Sequence, residues 1–243
     1  MPELQLTAGP IEYEDSGGDG PVLVLLGGLV MDGSVWDPLV EDLRRDHRCV
    51  VPTLPLGAHR KAMRRDADLS LGGFARIVAE LLERLELEDV TLVQNDHAAG
   101  LVLAGQRPAR VARLVISPCE AFENYPPGLP GKNARAVAWI PGGIYVMAQT
   151  LRVRALRRLP IAFGWMAKRR LPDELVDRWV APLQTQRAVR RDLRKYVTGG
   201  RRKQIDMEPA QLAMLLDGID LNARRLARWN PQPQTGIDTG QRV

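Results

Sequence analysis

The chain has 243 residues, 45% of them apolar, and a formal net charge of +5, which suits one large α/β domain or two small ones with a packed core. No run of about 18 apolar residues exists to span a bilayer; the nearest, Ala136–Ala148, is broken by Pro141-Gly142-Gly143. Met1–Pro10 lacks the basic-then-apolar order of a secretory leader, and Cys49 and Cys119 are too few for a disulfide framework, so a cytoplasmic protein with reduced, buried thiols is expected.

Charge divides the chain. Between Lys132 and Lys203 there are 18 Lys and Arg against 4 Asp and Glu; the remainder has 16 against 25. A strongly basic module thus sits on a mildly acidic body.

In chain order, Leu4–Gly9 and Ile11–Gly17 alternate in polarity around Gly9-Pro10 and read as a short antiparallel pair. Pro21–Gly28 (PVLVLLGG) is a continuous apolar run, as a strand covered on both faces requires. Ser34 then suits an N-cap for a helix carrying Trp36, Leu39, Val40 and Leu43. Arg48–Pro55 reads as another buried strand, residues 59–69 as a polar loop, and Ser70 as the cap of a helix with Phe74, Ile77, Val78, Leu81, Leu82 and Leu85 at helical spacing. In Asp89–Pro108 (DVTLVQNDHAAGLVLAGQRP) a β-branched strand turns sharply at Asn95-Asp96-His97 into a helix, and Val111–Pro118 supplies one further strand. This alternation predicts a mostly parallel sheet with an antiparallel edge from the initial hairpin.

After Pro118 the rhythm changes. Residues 121–131 are rich in Pro and Gly, and from about Ala134 to Arg228 every periodic stretch is helical and many are arginine-rich. The expected division is therefore a core over 1–120, a loop and basic helical cap over 121–228, and a polar, disordered tail over 229–243.

Ligands of parallel α/β sheets gather at the carboxyl ends of the strands. An acid on a tight strand-to-helix turn there is exposed, and Ala98, Ala99 and Gly100 are small enough for strand and helix to approach closely. The plain reading of Asp96 is a helix N-cap. However, the pattern small-x-nucleophile-x-small resembles the nucleophile elbow of the α/β-hydrolase family, with Asp96 at the nucleophile place. The resemblance covers roughly residues 5–228, in the order of strands, elbow and late helical insertion. The branch with aspartate at this place includes haloalkane dehalogenases and epoxide hydrolases. There the carboxylate attacks an electrophilic carbon to give an alkyl-enzyme ester, which a histidine-activated water hydrolyses.

The resemblance implies backbone oxyanion donors at Leu29 and His97, a relay acid at Glu120, and a substrate pocket near Gly28, Trp139 and Trp165. A surface carboxylate or loop cap is an equally fair reading of Glu120. The sequence also departs from the pattern. Gly27-Gly28 replaces the usual His-Gly, and Leu29 and His97 stand where dehalogenases hold halide with asparagine and tryptophan. Tyr125, Tyr145 and Tyr196 could supply the cap tyrosines of epoxide opening, but the His-Gly-x-Pro turn of that group is absent.

The three histidines are His47, His59 and His97. His47 in RRDHR reads as a solvated helix end and His59 as an exposed loop residue; His97, adjacent to Asp96, should point away from it. No base follows the cap, and no apolar strand begins after Arg228, where the family continues its sheet, so a C-terminally incomplete hydrolase with an open sheet edge is expected.

The primary expectation is a hydrolase acting on a small, mostly apolar electrophile, impaired for lack of that base. The alternative is an inactive α/β-hydrolase-like protein that binds through its basic face. No cofactor is implied, and no cluster has metal-ligand spacing. No nucleic-acid motif is visible. A small-molecule substrate is the expected partner, with peripheral contact between the basic cap and an anionic membrane as a further one.

Overall fold

The computed structural model describes residues 1–96, 109–119, 128–160, 162–164 and 170–199. Six strands form one mixed sheet: β1 (Glu3–Leu6), β2 (Gly9–Asp15), β3 (Val22–Leu26), β4 (Arg48–Pro52), β5 (Val90–Asp96) and β6 (Val111–Cys119), in the spatial order β1-β2-β4-β3-β5-β6. β1 and β2 form the expected hairpin, and β2 runs antiparallel to β4. The pairs β3–β4, β3–β5 and β5–β6 are parallel. Gly9 closes the hairpin at φ +138°, where a side chain would be strained and a Cβ would lie 3.0 Å from the Cα of Met63.

The apolar run of β3 is explained by its two faces. Leu23 and Leu25 point to one layer with Cys49, Val51 and Val93, against Leu39, Val40 and Leu43 of α1 (Asp37–Leu43). Val24 and Leu26 point to the other with Val50, Leu92 and Leu114, against Phe74, Ile77, Val78, Leu81 and Leu82 of α2 (Leu71–Arg84). The two-residue period of the strand assigns successive side chains to opposite layers, so a strand covered on both sides has no polar position.

Two caps differ in outcome. The Ser70 hydroxyl accepts the N–H of Gly73 and starts α2 as expected. Ser34 does not start a helix. Asp32 caps a short 3-10 turn, Gly33–Trp36, by accepting the N–H of Ser34, and α1 begins only at Asp37, where Pro38 fits the first turn.

Beyond β6 the described elements are all helical: α3 (Gly128–Trp139), α4 (Gly143–Thr150), the 3-10 turn Leu156–Arg158, α5 (Asp173–Thr185) and α6 (Arg187–Gly199). α3 starts inside the stretch expected to be loop. α5 buries Val176, Trp179, Val180 and Leu183, and α6 buries Val189, Leu193, Tyr196 and Val197, in one core with α2 and the sheet. No helix among the described residues is long and apolar enough to cross a membrane.

Candidate active site

Asp96 ends β5 at φ +73°, the left-handed region that a non-glycine residue enters only under constraint. It lies at the carboxyl end of a strand inside the parallel part of the sheet. The neighbouring parallel strand β3 ends at Leu26, and the loop after it turns back over Asp96. The Leu29 N–H donates to Asp96 Oδ2 at 2.7 Å. Val30, also at positive φ (57°), donates its N–H to the carbonyl of Leu56, which anchors this loop to the segment following β4.

Gly28 makes the approach possible. A Cβ there would lie 2.6 Å from the Cβ of Asp96 and 2.8 Å from Oδ2, so any side chain would drive the carboxylate away from the Leu29 N–H. Gly28 thus acts through Asp96, a role beyond the pocket lining expected of it.

Asp96 is half-buried. Burial raises its carboxyl pKa above the ordinary value, and the Leu29 N–H offsets only part of that rise. No cationic side chain among the described residues hydrogen-bonds it.

The loop that holds Leu29 is itself fixed by a buried carboxylate. Asp32 is 1% exposed and accepts from Arg60 (3.0 Å), from Arg178 Nε (2.7 Å), from Trp179 Nε1 (3.1 Å) and from the N–H and hydroxyl of Ser34. Burial pushes its pKa up, but Ser34 and Arg178 outweigh burial and hold it below the ordinary carboxylate value. Trp179 Nε1 also donates to Ser34 Oγ at 2.9 Å. Arg178 and Trp179 belong to α5, so this network joins cap to core directly beside the Gly28-Leu29 loop.

A second joint lies nearby. His59, expected to be exposed, is 3% exposed because α6 covers it. Its Nε2 lies 3.4 Å from Asp192 Oδ2, and its Nδ1 accepts the N–H of Gly57 at 3.3 Å. Asp192 is fully buried and also accepts from the Met63 N–H and from Arg191. Here too burial raises the carboxyl pKa, while His59, the Met63 N–H and Arg191 more than reverse the effect.

Neither Asp32 nor Asp192 was singled out from the sequence, although Asp192 left a signal. It occupies the buried stripe Val189, Leu193, Tyr196 and Val197 at helical spacing, where a lone acid must find partners.

The other expected residues fall as follows. His97, Glu120, Tyr125 and Trp165 lie outside the described residues, as does the stretch 200–243. Trp139, expected against the substrate, is instead 60% exposed at the end of α3. Tyr145 is 49% exposed with the Arg190 guanidinium 5.0 Å above its ring, and Tyr196 packs edge-on against Phe74 in the core. His47, expected to be solvated, is half-buried with an unpartnered Nδ1. It precedes β4 and so lies at the amino end of the sheet, about 16 Å of strand from the carboxyl edge. Among the described residues no group of three His, Cys, Asp or Glu could hold a metal ion.

A sequence profile of the alpha/beta hydrolase family matches residues 23–237. The chain belongs to the alpha/beta hydrolase family. Among solved structures of this hydrolase fold, a Pseudomonas aeruginosa protein provisionally described as an epoxide hydrolase superposes with a TM-score of 0.66 at 19% identity, over 93% of this chain and 72% of that one. An inferred ancestral haloalkane dehalogenase gives 0.60 at 20% identity, over 90% and 75%. An uncharacterized protein of Mycobacterium tuberculosis is 30% identical over 101 residues, 41% of this hydrolase-family chain and 29% of the relative; the match spans less than a third of that curated protein.

Proposed function

We propose that this alpha/beta hydrolase uses Asp96 as a nucleophile on a small, mostly apolar electrophile, through a covalent alkyl-enzyme ester. One observation carries the reading: a carboxylate held at positive φ on the tip of β5, with a backbone N–H from the loop after the neighbouring strand β3 2.7 Å from one oxygen. That hydrogen bond divides the two oxygens by role. Oδ2 is engaged by Leu29, which leaves Oδ1 to form the bond to carbon while the leaving group departs with its electron pair. In the resulting ester Oδ2 is the carbonyl oxygen. Negative charge develops on it when water adds to the carboxyl carbon, and 2.7 Å is the distance at which an oxyanion donor works. Collapse of that adduct releases the alcohol and restores the carboxylate.

The second half-reaction needs a base. Both nitrogens of His59 are engaged, Nε2 with Asp192 and Nδ1 with the Gly57 N–H, and His47 is at the far edge of the sheet, so neither serves Asp96. With His97 outside the described residues, no described histidine reaches Asp96, and the ester is expected to form faster than it is hydrolysed.

The test is intact-protein and peptide mass spectrometry after incubation with alkyl halides and epoxides. A single adduct on the peptide containing Asp96, lost in Asp96→Asn, is the expected result. A folded protein that takes up no adduct from any member of the panel would overturn the reading. It would favour the second one, an inactive member of the family that binds through its basic face, in which Asp96→Asn leaves binding unchanged.

A further inference from the structure

The outer surface of the cap carries an inference that is independent of the catalytic reading. Six of the eight large hydrophobic side chains exposed among the described residues fall between positions 139 and 159: Trp139, Ile140, Tyr145, Val146, Val153 and Leu159, each between 41% and 60% exposed. They are not scattered. Trp139 and Ile140 form the tip of the α3–α4 turn, closed by the Ile140 N–H on the Val137 carbonyl and the Gly143 N–H on the Ile140 carbonyl. On α4, Tyr145 and Val146 are exposed while Ile144 and Ala148 enter the core, and in the turn after the helix Val153 is exposed while Leu151 is buried. Isolated exposed hydrophobics need no explanation; a contiguous group does.

The sequence across this patch is basic, with Arg154 and Arg157 paired to Asp173 and Asp177 of α5. Residues 124–172 contain nine Lys and Arg and no Asp or Glu. Arg157 is turned inward, onto the carbonyls of Leu151 and Asp173 and onto Asp177. Arg152 and Arg158, flanking Val153 and Leu159, are exposed and enter no ion pair among the described residues. Arg190 lies over the ring of Tyr145 and adds a further positive charge to the rim.

We infer that this face docks on the surface of an anionic lipid bilayer, with the Trp139-Ile140 tip and Tyr145, Val146 and Val153 entering the headgroup region and Arg152 and Arg158 on lipid phosphates. The two halves of the surface select this occupant together. A nucleic acid would satisfy the arginines and leave Ile140, Val146 and Val153 against water. A second copy of the chain would cover the apolar side chains but set the same arginines face to face. An anionic bilayer offers negative charge at the rim and hydrocarbon beneath it, and tryptophan is favoured at that boundary.

The test is sedimentation of the full chain with vesicles of phosphatidylcholine alone and with about a quarter phosphatidylglycerol. Binding to the anionic vesicles is expected to exceed binding to the neutral ones at least about tenfold and to weaken with salt. Arg152→Gln with Arg158→Gln should lower it about 30-fold, from the usual contribution of a basic residue at such a surface. Trp139→Ser with Ile140→Ser should lower it about tenfold or more without change in the circular dichroism, because both side chains are exposed.

Three results would overturn the inference. One is failure to bind anionic vesicles at low salt. Another is unchanged vesicle binding by the Trp139→Ser, Ile140→Ser variant alongside equal binding of heparin, which would mean a purely electrostatic surface. The third is a Trp139 emission, read as the difference between wild type and Trp139→Phe, already blue-shifted and shielded from acrylamide without lipid, which would mean that the chain or a second copy covers the patch.

Discussion

Asp96, at the end of β5, and Asp32, in the loop after β3, are carboxylates at the same end of the sheet, and they are treated in opposite ways. Asp32 is closed off, with two arginines, a tryptophan N–H and both donors of Ser34 on its two oxygens. Among the described residues Asp96 has one backbone N–H and no cation, and its own backbone is strained. Accordingly the pKa of Asp32 is held down and that of Asp96 is pushed up. A carboxylate whose lone pairs are all engaged stabilises structure, whereas one left with a free oxygen is available for chemistry and burdens the fold. Position at the rim does not decide the role of an acid here; the number of its partners does.

The contrast is sharpest if Asp96 is neutralised. Asp96→Asn should abolish covalent capture, by about 10³-fold or more in rate, and at the same time raise the melting temperature at neutral pH. The sign follows from the raised pKa. The folded state holds the proton to a higher pH than the unfolded chain, so stability falls as pH rises from the ordinary carboxylate range through the folded value. Asparagine carries no such charge and tolerates the left-handed backbone. A thermal melt in which the variant is less stable would break the comparison.

Gly28→Ala should come next, lowering the rate of ester hydrolysis about 100-fold, the usual scale for losing one oxyanion donor, because a Cβ 2.6 Å from that of Asp96 separates the carboxylate from Leu29. A rate within a fewfold of wild type would show that the loop yields at little cost.

Asp32→Ala should destabilise by about 2–3 kcal/mol in denaturant titrations, since it orphans the Ser34 N–H and releases Arg178 and Trp179 of α5. Its effect on capture should follow through the loosened Leu29 loop. Asp32 contributes stability above the unfolded carboxylate pKa, and this contribution is lost as pH falls through its depressed folded value.

Asp192→Asn, the smallest of the four, should cost about 1–2 kcal/mol by weakening the joint to His59 and the Met63 N–H. It should also flatten the acid limb of the stability profile, because the depressed pKa of Asp192 contributes with the same sign as that of Asp32.

Particular residues show how far the sequence could be read. Val22–Leu26 was legible as a strand covered on both faces because every position is apolar, and Ser70 as a cap because the N–H it accepts lies three residues on. The strand Val90–Asp96 was legible from its β-branched and apolar residues, whereas the turn and helix expected after it fall on residues 97–108, outside the described residues. Ser34 was misassigned because Asp32, two residues earlier, is the cap: it accepts both the N–H and the hydroxyl of Ser34 and is held in place by Arg178 and Trp179, nearly 150 residues away. His59 was misassigned as exposed because the polarity of residues 59–69 says nothing about α6, which arrives from position 187 onward to cover it. Trp139 was expected to face inward as a large aromatic in an amphipathic helix, but it ends α3, where the chain turns and nothing among the described residues packs over it.

The sequence by itself determined what depends on near neighbours: the alternation of strands and helices, the two-faced burial of β3, the strand that carries Asp96 at its carboxyl end and the concentration of positive charge between positions 132 and 203. These follow from periodicity, turn chemistry and composition, which act over a few residues. Only the tertiary structure decided which acids are satisfied and which is not, that Leu29 reaches Asp96, that His59 is occupied by Asp192, and that the apolar side chains of the α3–α4 turn face outward. Each of those depends on the distance between groups far apart in the chain, and that distance is set by how helices from the second half of the molecule pack on a sheet from the first.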